Sequence, residues 1–198
     1  MSSILETLQN QLGPDTVQQT SRSLGADPNK TANALSLAVP ALLGGLSRNA
    51  SDPQGAVALD KALDDHDGSV LDNLGGLLGG GAASGAGGAI LGHIFRSNRD
   101  VVEQGVGKAS GLNTQQVGQM LTMLAPIVMG VLGRAKQQSG LDASQLPGVL
   151  QQTVQESQKQ TPALAGITAM LDANHDGQIA DDVVRVGKSF LGNLFGKS

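Results

Sequence analysis

Asp172, Asn174 and Asp176 alternate along a short acidic stretch, Gly177 follows them, and Ile179 stands two places further on. Oxygen donors at the first, third and fifth positions of a tight loop, glycine at the sixth and an aliphatic residue at the eighth make the front half of an EF-hand calcium loop. A hard dication needs several oxygens at about 2.3–2.6 Å, and alternate residues can all turn inward only where glycine permits a sharp bend. The main-chain carbonyl of Gln178 would serve at the seventh position. The back half departs from the pattern. Its twelfth position, where a bidentate glutamate closes a standard loop, holds Val183, while Asp181 and Asp182 come early. The expected Ca2+ ligands over 172–183 are therefore Asp172, Asn174, Asp176, Gln178 and either Asp181 or Asp182. The missing glutamate implies weak, micromolar to millimolar binding unless the loop contracts so that Asp182 closes it. The competing reading is a capped turn between helices. There Asp172 or Asn174 ends one helix, Gly177 takes a positive φ, and Asp181 or Asp182 favours the first turn of the next through the helix dipole.

A poorer copy, Asp65-His66-Asp67-Gly68-Ser69-Val70-Leu71-Asp72, lies earlier in the chain. Asp64, Asp65, Asp67 and Asp72 are its possible calcium ligands, and a capped turn is the stronger reading. His66 and His175 occupy matching positions, but the fourth position of such a loop points outward, so a shared transition-metal site is not expected. His93, beside Phe95, reads as a partly buried packing histidine. Serines without a base at interpretable spacing, scattered histidines and no cysteine leave no catalytic constellation, and no enzyme is expected. Ala109 to Val117 has the outline of a helix-turn-helix turn, yet its second helix offers Thr114, Gln115, Gln116 and Gln119 without basic support.

The balance of 13 basic and 17 acidic residues gives a formal charge of −4 without a cationic cluster, which argues against nucleic acid as partner. Only Phe95, Phe190 and Phe195 are aromatic, so base stacking is disfavoured and the core must be built from Leu, Ile, Val, Met and Ala. The absence of cysteine fits a reducing compartment. With no basic flank or long apolar run at the N-terminus, the expected location is cytoplasmic.

Elements must position these groups, and the chain repeats itself in supplying them. Gly25, Pro40, Gly44 and Arg48 recur 86 positions on as Gly111, Pro126, Gly130 and Arg134. Each set reads as a glycine stop, a short polar turn capped by Asp27 or Asn113, and an apolar helix that its internal proline should kink or split. Polar, glutamine-rich residues from Leu141 to Gln160 read as an insertion in the second copy. Between the halves runs a glycine-rich stretch, Gly75 to Gly92, that reads first as a flexible interdomain linker. Gly76, Gly80, Ser84, Gly88 and Gly92 also form a small-residue stripe suited to close helix packing or self-association. The stretch from Leu74 to Phe95 is long enough to span a bilayer, but nine of its residues are glycine, so a membrane role is disfavoured.

The run Gly87 to Phe95, the segment Ser110 to Gly130, the turn His66 to Asp72 and the motif Leu171 to Val183 together resemble the bacterial family called domain of unknown function 937. The resemblance implies a small, mostly helical bacterial protein and transfers no catalytic residues. The expectation is thus an all-α fold of two related multi-helix units, 1–74 and 93–198, joined by the segment 75–92 and ending in an EF-like turn and helix. Its expected role is binding or assembly, with Ca2+ as ligand; the alternative is a structural helical protein acting by self-association or contact with a protein partner.

Overall fold

Proline and glycine punctuate the chain into helices. The computed structural model describes residues 4–79 and 83–160, so the acidic loop 172–183 lies outside the described residues. The regular elements among the described residues are all helices: α1 Ile4–Gln11, α2 Pro14–Leu24, α3 Pro28–Ala50, α4 Pro53–Asp64, α5 Leu74–Gly79, α6 Ala83–Phe95, α7 Arg99–Ser110, α8 Thr114–Ser139 and α9 Leu146–Gln160. Short 3₁₀ turns at Ser69–Asn73 and Arg96–Asn98 complete the order. Three helices open on proline, where the missing N–H costs nothing and φ is already helical. Asp27 caps α3 by accepting from the amides of Asn29 and Lys30, at 2.9 and 3.1 Å. Asn113 and Gln116 form a reciprocal capping box at the start of α8, at 2.8 and 3.1 Å. Before each of these caps the preceding helix ends in a left-handed glycine, Gly25 or Gly111.

α3 and α8 form the centre. Nearly every apolar residue of α8 from Val117 to Leu132 is buried, as is the middle of α3 from Leu35 to Leu43. Neither proline splits its helix: α3 and α8 run continuously through Pro40 and Pro126.

The glycine-rich stretch, read from sequence first as a linker, carries α5 and α6. Ser23 on α2 donates to the Leu78 carbonyl of α5 at 2.6 Å, and α6 packs across α8 and α3 through Leu91, Ile94 and Phe95. Glycine is what permits this. A methyl group on Gly87 would overlap the Thr122 carbonyl of α8, and one on Gly45 of α3 would meet the Ile94 side chain at 2.5 Å. Asn49 of α3 then donates to the carbonyls of His93 and Ile94 at the end of α6, at 2.8 and 3.2 Å.

The glutamine-rich residues after Leu141 also form a packed element. Leu146, Leu150, Thr153 and Ser157 repeat at three and four residues, are buried, and turn one face of α9 toward α3 and α1. The two buried hydroxyls donate back to carbonyls of their own helix.

Candidate functional site

The first acidic turn begins where α4 ends. Gly68 there takes φ 87°, ψ 4°, a left-handed conformation that a side chain would strain. Asp67 accepts from the Ser69 amide at 2.9 Å, and that bond with its partner from the Ser69 hydroxyl holds the Asp67 carboxyl below its ordinary range. His66 Nδ1 lies 2.7 Å from the Ala62 carbonyl.

α8 receives this turn. Gly133 leaves room for the His66 carbonyl, which a methyl group would overlap, and the side chain of Val70 lies over Gly130. The next residues of α8 bring charge. Arg134 donates to the Gly68 carbonyl at 3.0 Å and to Asp72 at 3.2 Å. Lys136, with only 11% of its side chain exposed, donates to the Asp60 carbonyl at 2.9 Å and to Asp64 at 2.6 Å, and its ammonium stands 2.8 Å from Asp60 Oδ1. Burial alone would lower the Lys136 pKa, but Asp60 and Asp64 outweigh it and hold the ammonium above its ordinary value.

The calcium alternative for this first turn is therefore corrected. Asp64 belongs to Lys136, Asp67 to the Ser69 amide and Asp72 to Arg134, so the carboxylates diverge toward separate partners instead of converging on one point. Among the described residues no three His, Asp or Glu side chains are grouped to hold a metal ion. The arrangement is a clamp in which two cations of α8 neutralise the end of α4 and the turn behind it. Sequence reading paired Arg134 with Arg48 by position only; the signal for its role was a basic pair, Arg134 and Lys136, closing an otherwise apolar helix.

Three other readings change with the structure. His93 is exposed, and its backbone carbonyl is the group that is bonded; Phe95 beside it is buried. The helix-turn-helix outline is the junction of α7 and α8, where Gln116 donates to the Leu24 carbonyl of α2 at 3.2 Å and the following helix is core. Glu103, which sequence reading passed over, is buried on α7 against Gly118 of α8 and bonded to Arg99 at 2.7 Å. α8 is also long and apolar enough to cross a membrane, but 78% of its most apolar window is buried among the other helices.

A second feature lies between α1, α3 and α9. An open groove of about 240 Å³ runs between α1, α3 and the end of α9. Leu5 and Leu8 of α1, Leu12, Val17 of α2, and Leu35 and Val39 of α3 give it apolar walls. Ala32 and Pro40 also line it, and Gln9, Ser36 and Ser157 add polar atoms. Pro40 has no N–H to return to the Ser36 carbonyl four residues back. Pro126 does the same to the Thr122 carbonyl of α8, and there α6 covers it through Gly87.

Residues 6–137 match the family described as bacterial protein of unknown function (DUF937). The matched span includes the glycine-rich helices, the acidic clamp and most of the groove, and stops short of the loop 172–183. No curated protein and no solved structure matches the chain.

Proposed function

The chain belongs to the DUF937 family of bacterial proteins, and from that premise we propose that it is a non-enzymatic binding and assembly protein that receives an apolar helical segment in the groove between α1, α3 and α9. The groove is the observation that carries the reading. It is concave, mostly apolar and edged by a few polar groups, the combination by which proteins take up an amphipathic helix. The charge pairs of the described residues lie away from it. Arg99 with Glu103, Arg134 with Asp72, and Lys136 with Asp60 and Asp64 hold helix to helix or brace a single helix, and none of them lines the groove.

Within this proposal the two halves, 1–74 and 93–198, are related units. Their support is the shared order of left-handed glycine, Asx cap and proline-bearing central helix at Gly25–Pro40 and Gly111–Pro126. Calcium remains the proposed ligand of the loop 172–183, through Asp172, Asn174, Asp176, Gln178 and Asp181 or Asp182, on the spacing of those residues. The proposed setting is the cytoplasm, with a protein partner or a second copy as the assembly target.

Fluorescence anisotropy of a labelled leucine–alanine helix bearing glutamate and lysine on its other face tests the groove. Saturable binding should weaken at least tenfold in the Ala32→Glu/Ser36→Glu variant, because both residues are exposed on the groove wall. Equal binding by wild type and variant would remove the groove from the function.

A further inference from the structure

We infer that α9 is a displaceable strap: it covers α3 in the free molecule and gives way to a partner's amphipathic helix, which takes its place on α3 and fills the groove. This deepens the groove reading of the proposed function and rests on it. α9 lies outside the matched family span 6–137, yet it packs chiefly on α3, a central helix of that span. Its seam is thin. Leu146 and Leu150 are its buried apolar side chains, Val154 is partly buried beside them, and the rest of the buried face is Thr153 and Ser157. Both hydroxyls donate within α9, at 2.8 Å to the Val149 and Val154 carbonyls, so neither proton ties α9 to α3.

Glycine loosens the strap further. The Asp142 carbonyl already accepts from the Leu146 amide, so Gly148 stands inside the helical run. Gly148 is exposed and a methyl group there would meet nothing within 4 Å, so no neighbour requires glycine as Thr122 does at Gly87. Its effect is to lower the helix propensity of α9. The strap hangs from Gly140, the left-handed C-cap of α8 at φ 63°, through the short connection 140–145. An element with so few buried apolar side chains opens locally before the whole fold does. Its tether holds it at an effective concentration of about millimolar, so a partner helix displaces it only by fitting α3 better. The groove shows where a better fit is available. It lies beside Ser157, where α9 presents a hydroxyl instead of a large side chain. A leucine-faced helix with an aliphatic residue at that register covers what Leu146 and Leu150 cover and also enters the groove.

The test titrates the labelled leucine–alanine helix into the full chain and into two variants that move the strap in opposite directions. Gly148→Ala firms α9 without touching α3 and should weaken binding about two- to fivefold, since the binding-competent open form becomes rarer by that factor. Leu150→Asp takes a buried leucine out of the seam and should tighten binding at least tenfold; should that variant fail to fold, the sign of the Gly148→Ala change decides. Hydrogen exchange read by mass spectrometry gives a second measurement. With the helix bound at saturation, α9 amides of the wild-type chain should exchange at least tenfold faster while those of α3 slow. Saturable binding that is equal in wild type and Gly148→Ala, with α9 protection unchanged, overturns the strap and leaves the groove reading standing. No saturable binding by wild type or by either variant overturns the groove reading, and the strap with it.

Discussion

Gly87 and Gly88 are neighbours on α6 and should answer the same substitution with opposite signs. An alanine at an interior helix position gains about 1 kcal/mol over glycine. At Gly88 nothing lies within 4 Å of the added methyl, so Gly88→Ala should keep that gain and stabilise the protein by about 0.5–1 kcal/mol. At Gly87 the methyl would overlap the Thr122 carbonyl and come within 3.0 Å of both its carbon and the Thr122 methyl. A backbone carbonyl cannot rotate aside as a flexible side chain can. Overpacking of this kind costs about 1–3 kcal/mol, and more where backbone must move, so Gly87→Ala should be net destabilising by about 1–2 kcal/mol. At about 2–4 °C per kcal/mol for a chain of this size, the two variants should melt roughly 3–12 °C apart, on either side of wild type. Thermal melts followed at 222 nm give the answer directly. If Gly87→Ala melts at or above wild type, α6 is not seated on α8 as described, and the stretch behaves as the flexible linker that its composition suggested.

Lys136→Met should cost about 1–3 kcal/mol, because it leaves Asp60 Oδ1, which is shielded from water, without its cation; urea titrations against wild type measure it. The same clamp has a pH signature. The folded ammonium holds its proton above the ordinary 10.5, so its contribution is whole below that pH and is lost as pH rises through the higher folded value, and Lys136→Met should flatten this alkaline fall in Tm. Asp67 works in the opposite direction. Its folded carboxyl lies below 3.8, so its contribution is present above that pH and is lost as pH falls through the lower folded value, and acid melts of Asp67→Asn should lack that part of the slope. Asn113→Ala removes half of the capping box and should cost about 1 kcal/mol by chemical denaturation. Calorimetric titration of calcium into chelator-treated protein should give saturable heat that Asp172→Ala/Asp176→Ala abolishes and Asp64→Ala/Asp67→Ala leaves intact; retained binding in the first variant would move the metal elsewhere.

Local signals carried far in this chain. Pro28, Asp27 and Gly25 mark the start of α3, Gly111 and Asn113 mark the start of α8, and the mostly apolar run from Met120 to Leu132 identifies a buried helix. These are properties of a few adjacent residues, and sequence displays them. The glycine-rich stretch misled because glycine lowers helix propensity, while its benefit, a carbonyl of α8 admitted to van der Waals distance of Gly87, involves a residue far along the chain. α9 was obscured in the same way. Its buried face includes Thr153 and Ser157, whose hydroxyls are satisfied within the helix and so behave as small packing groups amid glutamines. The acidic turn showed its carboxylates but not its cations, since Lys136 reaches Asp64 across 72 residues. The groove was invisible from sequence because it exists only where α1, α3 and α9 leave a gap between them.

The clamp also bears on how the protein is made. During translation α4 and its turn leave the ribosome well before α8, and Arg134 and Lys136 come last in that pairing. At about 5–20 residues per second, the 72 residues between Asp64 and Lys136 take roughly 4–14 s to synthesise. For that interval Asp60, Asp64 and Asp72 have no basic partner from α8 and stay hydrated, close behind the apolar middle of α3. The nascent N-terminal half therefore carries three carboxylates that wait for Arg134 and Lys136 while the apolar middle of α3 waits for α8. Arrival of α8 sets two cations against these three carboxylates and covers one side of α3, whose remaining face waits for α9.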